Sequence, residues 1–103
     1  MLTIDKIFHA SLVLKDIIRP TPLARAYGFS KDFTLYFKPE NLQRTGSFKL
    51  RGSGYKIAML SEEEKSKGVI ACSAGNHAQG VALAASKCGI SSLICLPENA
   101  PLS

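Results

Sequence analysis

The chain has 103 residues, 46% of them apolar and 20% charged, with 13 basic and 8 acidic side chains and a net charge of +5. That suits one small domain or a piece of a larger one, and excludes a multidomain machine, a collagen-like repeat, a coiled coil and a disordered tail. No apolar run reaches the roughly 18 residues that span a membrane, and the opening Met1-Leu2-Thr3-Ile4-Asp5 lacks a secretory signal's basic leader and apolar core, so a cytoplasmic chain is expected.

In chain order, Ile4, Ile7, Phe8, Leu14 and Ile18 recur at helical spacing and predict a helix over residues 4–18. Arg19-Pro20-Thr21-Pro22 ends it, because each proline pushes the residue before it out of helical geometry. Thr34-Leu35-Tyr36-Phe37 is a short β-prone run that stops near Pro39. Ser47 can cap a second helix running to about Leu60, on which Phe48, Gly52, Tyr55 and Met59 share a face and the glycine would admit a close neighbour. Ser61 and Glu64 form a capping box for a short acidic helix that Gly68 closes.

The remainder reads as one unit. A strand at residues 69–72 leads through a turn at Gly75 into a helix over about 76–88, with Gly89 as its stop and a strand at 93–96. That is a βαβ unit, hence a parallel pair with a right-handed crossover. A parallel sheet needs cover on both faces and more than two strands. A third helix would begin at Ala100-Pro101-Leu102-Ser103, so the sheet is expected to be completed by another copy or by further chain.

Charge and cysteine content narrow the partners. Residues 1–51 carry nine basic and four acidic groups, and residues 52–103 four of each, which favours small anionic partners. The basic residues are scattered and aromatics are few, so no nucleic acid is expected. Cys72, Cys88 and Cys95 form neither a disulfide framework nor a zinc knuckle and are expected to be buried reduced thiols. His9 and His77 have no acidic or thiol neighbours at ligand spacing, so no metal is expected. Gly52-Ser53-Gly54 is followed by Ile57 where a dinucleotide fingerprint requires glycine, and no phosphate loop of the G-x-x-x-x-G-K type occurs.

Two segments carry chemistry. Glu40-Asn41-Leu42-Gln43-Arg44-Thr45-Gly46-Ser47-Phe48-Lys49-Leu50-Arg51-Gly52 puts Lys49 in the first turn of a helix beside an aromatic ring. A helix N-terminus disfavours positive charge, and a neutral amine attacks aldehydes, so Lys49 is a candidate Schiff-base former. The bland alternative is a solvated surface lysine. Ser73-Ala74-Gly75-Asn76-His77-Ala78-Gln79-Gly80 lies at the carboxyl end of a parallel strand, where open α/β sheets bind ligands. Free N–H groups at the following helix start suit a carboxylate or phosphate; the bland alternative is a helix capped by Asn76.

Together these segments resemble the threonine ammonia-lyase (threonine dehydratase and serine racemase) group of fold-type-II pyridoxal-phosphate enzymes. Thr21-Pro22-Leu23 and Leu96-Pro97-Glu98-Asn99-Ala100-Pro101 are similar as well, so the resemblance covers nearly the whole chain and about the N-terminal third of a usual member. It implies the α/β, tryptophan-synthase-beta-like three-layer fold with a parallel sheet, here only in part. Residues 1–65 would belong to the large cofactor-binding lobe, and residues 66–103 would be the first βαβ unit of the small lobe.

The resemblance also implies roles. Lys49 would hold the aldehyde of pyridoxal 5'-phosphate and remove the substrate α-proton; Phe48 would pack on its ring, and Asn76 would hydrogen-bond its phenolic oxygen. Ser73, Ala74, Gly75, Asn76 and His77 would form the loop around the carboxylate of L-threonine or L-serine, which would leave as a 2-oxo acid and ammonia. Racemases of this group carry serine where this chain has Ala74, so dehydration is expected above racemisation. A phosphate-cupping glycine loop and a residue facing the pyridine nitrogen have no counterpart in residues 1–103, so little activity is expected of this stretch alone. Homo-oligomers are the habit of the group. The alternatives are cysteine synthase, threonine synthase or serine racemase chemistry, and a non-catalytic truncated module.

Overall fold

A computed structural model describes residues 1–100. The elements in order are α1 (Ile4–Val13), β1 (Ala24–Ala26), β2 (Leu35–Phe37), a single 3-10 turn (Glu40–Leu42), α2 (Lys49–Ala58), α3 (Glu62–Lys67), β3 (Val69–Cys72), α4 (Asn76–Lys87) and β4 (Ser92–Cys95). Strands β1 and β2 form an antiparallel ribbon, and β3 and β4 a separate parallel pair with Val69 opposite Ser92 and Cys72 opposite Cys95. The expected βαβ unit is therefore present, as part of a mixed α/β fold. Of the expected third-helix start, residues 101–103 lie outside the described residues.

The core joins the two halves of the chain. Leu14 and Ile17 from the turn after α1, Leu50 and Ile57 from α2, Ala71 from β3, Val81, Ala84 and Ala85 from α4, and Ile90 form one buried cluster. Helix α4 buries mostly small residues, Ala78, Gly80, Val81, Ala84 and Ala85, and at Gly80 its backbone comes close to α2. A Cβ on Gly80 would stand 2.9 Å from Ser53 Oγ and 3.2 Å from both Leu50 N and Lys49 C. Gly54 is close-packed too, its imaginary Cβ lying 3.0 Å from the side-chain tips of Leu14 and Ile17.

These contacts correct four expectations. Helix α1 ends at Val13 rather than Ile18, because Leu14 and Ile17 turn inward onto α2. Ile4, Ile7 and Phe8 stay exposed. The buried face of α2 is Leu50, Ser53, Gly54 and Ile57, whereas Phe48, Gly52 and Met59 are exposed and Tyr55 is half-buried. Nothing lies within 4 Å of a Cβ at Gly52, so the close approach belongs to Gly54 and Gly80. Helix α2 starts two residues after Ser47, with Phe48 as its flanking residue, and the Ser47 hydroxyl accepts the Lys49 N–H at a long 3.4 Å.

The glycines make a paired prediction. Gly80→Ala is expected to destabilise the chain by about 1–3 kcal/mol, since helix backbone cannot yield as a flexible tip can. Gly52→Ala, in an open helix interior, is expected to stabilise it by about 0.5–1 kcal/mol. Urea midpoints of the two variants check the opposite signs.

Helix α3 forms as its sequence requires. The Glu64 N–H donates to Ser61 Oγ at 3.2 Å and the Ser61 N–H to Glu64 Oε2 at 2.8 Å, completing the capping box. The bond from the Ser61 backbone holds the Glu64 carboxyl below its ordinary value. Gly68 then reverses the chain at φ +76°, and a Cβ there would strike the Ser91 carbonyl at 2.8 Å. The same carbonyl accepts the Val69 N–H at 2.9 Å, so the turn hands the chain directly into β3.

The cysteines are a further correction. Cys72 and Cys95 are exposed and Cys88 is half-buried. Successive strand residues point to opposite faces. Ala71 and Ile94 take the face toward α4, which leaves Ile70, Cys72, Leu93 and Cys95 on the outer face.

Candidate functional site

Helix α2 is held at its start by two polar anchors. The buried Gln43 carboxamide accepts the Arg19 N–H at 2.7 Å and the Arg44 N–H at 3.0 Å, and donates to the Arg19 carbonyl at 2.8 Å. This ties the segment leaving α1 to the turn that precedes Lys49. Arg51, in the first turn of α2, grips Glu40 with both prongs, Nε to Oε2 at 2.8 Å and Nη2 to Oε1 at 2.7 Å. Thr21 Oγ1 donates to the same carboxylate at 2.6 Å, and Lys38 Nζ donates to the Thr21 carbonyl at 2.7 Å. A bidentate pair sets direction as well as distance, so it fixes the rotation of α2 about its axis.

The Arg51 hydrogen bonds hold the Glu40 carboxyl at about 2 instead of 4.5, with help from Thr21 and against the opposing effect of burial. A value lower in the folded than in the unfolded chain means that the stabilisation is complete above about pH 4.5 and is lost as pH falls toward 2. Glu40→Gln is expected to cost about 1.5–3 kcal/mol at neutral pH, the range for hydrogen bonds to charged groups. It should also flatten the acid limb of stability against pH. Urea titrations across that window measure both effects.

Lys49 is the first helical residue of α2, as expected, and its Nζ lies 5.2 Å from the centre of the Phe48 ring. Both side chains are exposed, so the aromatic plate is in place but encloses nothing. Four residues earlier, Thr45 Oγ1 is buried with no hydrogen-bond partner among the described residues. A buried hydroxyl in that condition costs about 1–3 kcal/mol until an acceptor or donor meets it.

The second segment opens α4. The Ser73 N–H donates to the Cys95 carbonyl at 3.2 Å, anchoring the loop to β4, and Ser73 Oγ accepts the Gly75 N–H at 3.3 Å. Gly75, not Asn76, is the capping residue; it is extended and offers no side chain, and Asn76 is the first helical residue. The N–H groups of Ala78 and Gln79 turn back to the Gly75 carbonyl at 3.0 and 3.5 Å. Those of Asn76 and His77 have no partner among the described residues. Ser73 is half-buried, while Ala74, Gly75, Asn76 and His77 are exposed.

Gly80 joins the two segments. It touches the Lys49 and Leu50 backbone, and Asn76 lies one turn earlier on the same face of α4, on the side of the α2 start. His77 instead lines a cavity of about 510 Å³ between α2, β3 and α4, together with Ser53, Lys56, Ile57, Cys72 and Val81. Sequence reading placed Lys49 and the loop but passed over Gly80, Gln43 and the Glu40–Arg51 pair. Their signal is weak because each acts through a residue distant in sequence. His9 on α1 pairs through Nδ1 with the Tyr55 hydroxyl at 2.9 Å.

Chemically, this arrangement offers an accessible primary amine, an aromatic face, a free carboxamide and open N–H donors around one helix–helix contact. Residues 14–103 match the family described as pyridoxal-phosphate dependent enzymes. An L-threonine ammonia-lyase from Thermotoga maritima is 52% identical over 105 residues, covering all of this chain and 26% of that protein. A catabolic L-threonine dehydratase from Staphylococcus aureus is 47% identical over 106 residues, covering all of this chain and 31% of its own length. The serine racemase structure from Dictyostelium discoideum superposes with a TM-score of 0.89 at 39% identity, over 97% of this chain and 34% of that one. The chain thus spans between a quarter and a third of the length of the curated relatives it matches.

Proposed function

The chain belongs to the family of pyridoxal-phosphate dependent enzymes, and from that premise we propose that it carries the catalytic lysine and substrate loop of an ammonia-lyase acting on L-threonine and L-serine. The reading rests on one contact, Gly80 of α4 against the Lys49–Leu50 backbone, which sets the amine-bearing helix start beside the open helix start. The donor set suits the cofactor. An amine answers an aldehyde, a ring face answers a ring, and a carboxamide with unpaired N–H groups answers oxyanions.

Pyridoxal 5'-phosphate, when bound, supplies the electron sink that lets an amino-acid α-carbon release its proton. Lys49 would hold the aldehyde through Nζ, and the same amine would be the group that accepts the substrate α-proton. Phe48 lays its ring beside that nitrogen, and Asn76 would offer its carboxamide N–H to the cofactor's phenolic oxygen. The open N–H groups of Asn76 and His77 hold the substrate carboxylate with the Ser73 hydroxyl and the backbone of Ala74 and Gly75, at the positive end of α4. Loss of the β-hydroxyl as water would leave an enamine, which a water molecule hydrolyses to a 2-oxo acid and ammonia.

Ala74 bears on the choice of reaction. Its methyl has no exchangeable proton, so this position cannot return a proton to the opposite face of the α-carbon. Elimination is therefore preferred, although the likeness to a serine racemase keeps racemisation as the second reading. Chiral analysis of recovered serine separates the two, and a comparison of threonine, serine and O-acetylserine as substrates separates both from cysteine synthase chemistry.

We further assign residues 1–65 to the large lobe and 66–103 to the small one, with α2 and α4 as their meeting point. No helix among the described residues is long and apolar enough to cross a membrane. A cytoplasmic homo-oligomer is proposed from the resemblance alone. The direct test is borohydride reduction in the presence of pyridoxal phosphate, followed by peptide mapping. Label on Lys49 alone among the nine lysines supports the reading; no label, or label spread over surface lysines, overturns it.

A further inference from the structure

We propose that Glu40 and Arg51 are positioning residues for Lys49: their two-pronged pair, joined by Thr21, sets the direction in which the lysine amine leaves the start of α2. The proposal rests on Lys49 being the lysine that binds the cofactor aldehyde. Arg51 reaches the Glu40 carboxylate through Nε and Nη2 at 2.8 and 2.7 Å, and Nη2 also donates to Thr21 Oγ1 at 3.2 Å. Thr21 is buried, and its hydroxyl donates to Glu40 Oε1 at 2.6 Å. Arg51, Glu40 and Thr21 thus close a ring of hydrogen bonds between three separate stretches of the chain. The Glu40 side chain is only 15% exposed, so the ring is already shielded by residues of this chain.

Two features give the pair this role. The first turn of α2 contains no acidic residue and carries Lys49 and Arg51 instead. A helix start favours negative charge, so α2 takes its carboxylate from outside the helix, through Glu40. The second feature is direction. Successive helical residues are turned by about 100°, so Lys49 and Arg51 leave α2 on opposite flanks of the buried Leu50. Any rotation of the first turn that pulls Arg51 from Glu40 therefore swings Lys49 through the same angle. The Lys49 side chain is exposed, so its direction is inherited from the helix that bears it. A lysine at position 51 could not do the same work, because an ammonium meets a carboxylate as a point charge and leaves the rotation free.

The test is the rate at which borohydride-trapped pyridoxal phosphate accumulates on Lys49 of the full chain, read by peptide mapping beside a urea unfolding curve for each variant. Glu40→Gln and Arg51→Lys are each expected to slow that label by up to about 10²-fold, the scale for a misplaced reacting group, under conditions where the unfolding curve shows the variant folded. Arg51→Lys keeps the charge, so its loss marks the fork and not the charge alone. Ser61→Ala removes the cap of α3 and lowers stability without touching α2, and its Lys49 should label at the parental rate. Where Glu40→Gln fails to fold, Thr21→Val, which keeps the ion pair and removes one hydroxyl from the ring, should still slow the label severalfold. Parental labelling in the folded variants of the ring, or equal slowing in Ser61→Ala, would overturn the proposal and leave the ammonia-lyase reading standing. A parent chain without selective label on Lys49 would overturn both.

Discussion

Lys49→Ala is expected to abolish site-specific, borohydride-stable labelling by pyridoxal phosphate; within a full-length protein of the proposed function it should lower threonine deamination by about 10²–10⁴-fold, the range for loss of a positioned proton-transfer group. Lys49→Arg should fail equally. It keeps a positive charge at the α2 start, but a guanidinium stays protonated and neither condenses with an aldehyde nor accepts a proton. The pair therefore separates an amine that reacts from a charge that merely attracts phosphate. Phe48 lies 5.2 Å from the nitrogen and offers no nucleophile, so Phe48→Leu should keep the label on Lys49. Labelling that survives in Lys49→Ala at another single lysine would move the site elsewhere.

Leu50→Ala is expected to carry the largest stability loss of any single truncation, about 2–5 kcal/mol. Leu50 is fully buried, the largest side chain in that state, and it sits where α2 meets α4. Total stabilities of small domains are about 5–15 kcal/mol, so this one change removes a large share. The exposed Leu12, truncated in the same way, should shift stability by no more than about 0.5 kcal/mol. Equilibrium urea unfolding of both variants measures the contrast. A Leu50→Ala chain as stable as the parent would mean that the α2–α4 contact does not hold the fold together.

Legibility followed the range of the interaction. Helix α3 was readable because Ser61 and Glu64 satisfy each other at its start and Gly68 closes it on the Lys65 carbonyl, all within eight residues. The βαβ unit was readable because apolar runs, glycine stops and strand lengths are local signals. Strand β1 was not, since Ala24-Arg25-Ala26 has no pattern of its own and exists as a strand only by pairing with Leu35–Phe37. The inward face of α2 was misread for a similar reason: Phe48, Gly52 and Met59 recur at helical spacing as well as Leu50, Gly54 and Ile57 do. Which set is buried depends on where α4 and the turn after α1 lie. The cysteines, apolar by type, were expected inside, but strand alternation turned Cys72 and Cys95 outward.

The amino-acid sequence by itself determined the chemistry on offer: a lysine at a helix start behind a glycine–serine turn, and a strand-to-helix loop rich in small residues and amide groups. Such motifs are contiguous, so residue order alone displays them. Only the tertiary structure decided that the two lie together, because that depends on one missing side chain, at Gly80, meeting the backbone of Lys49 and Leu50 some thirty residues earlier in the chain. Close helix contact is set by the shapes of both surfaces at once, and no local pattern records the partner's shape.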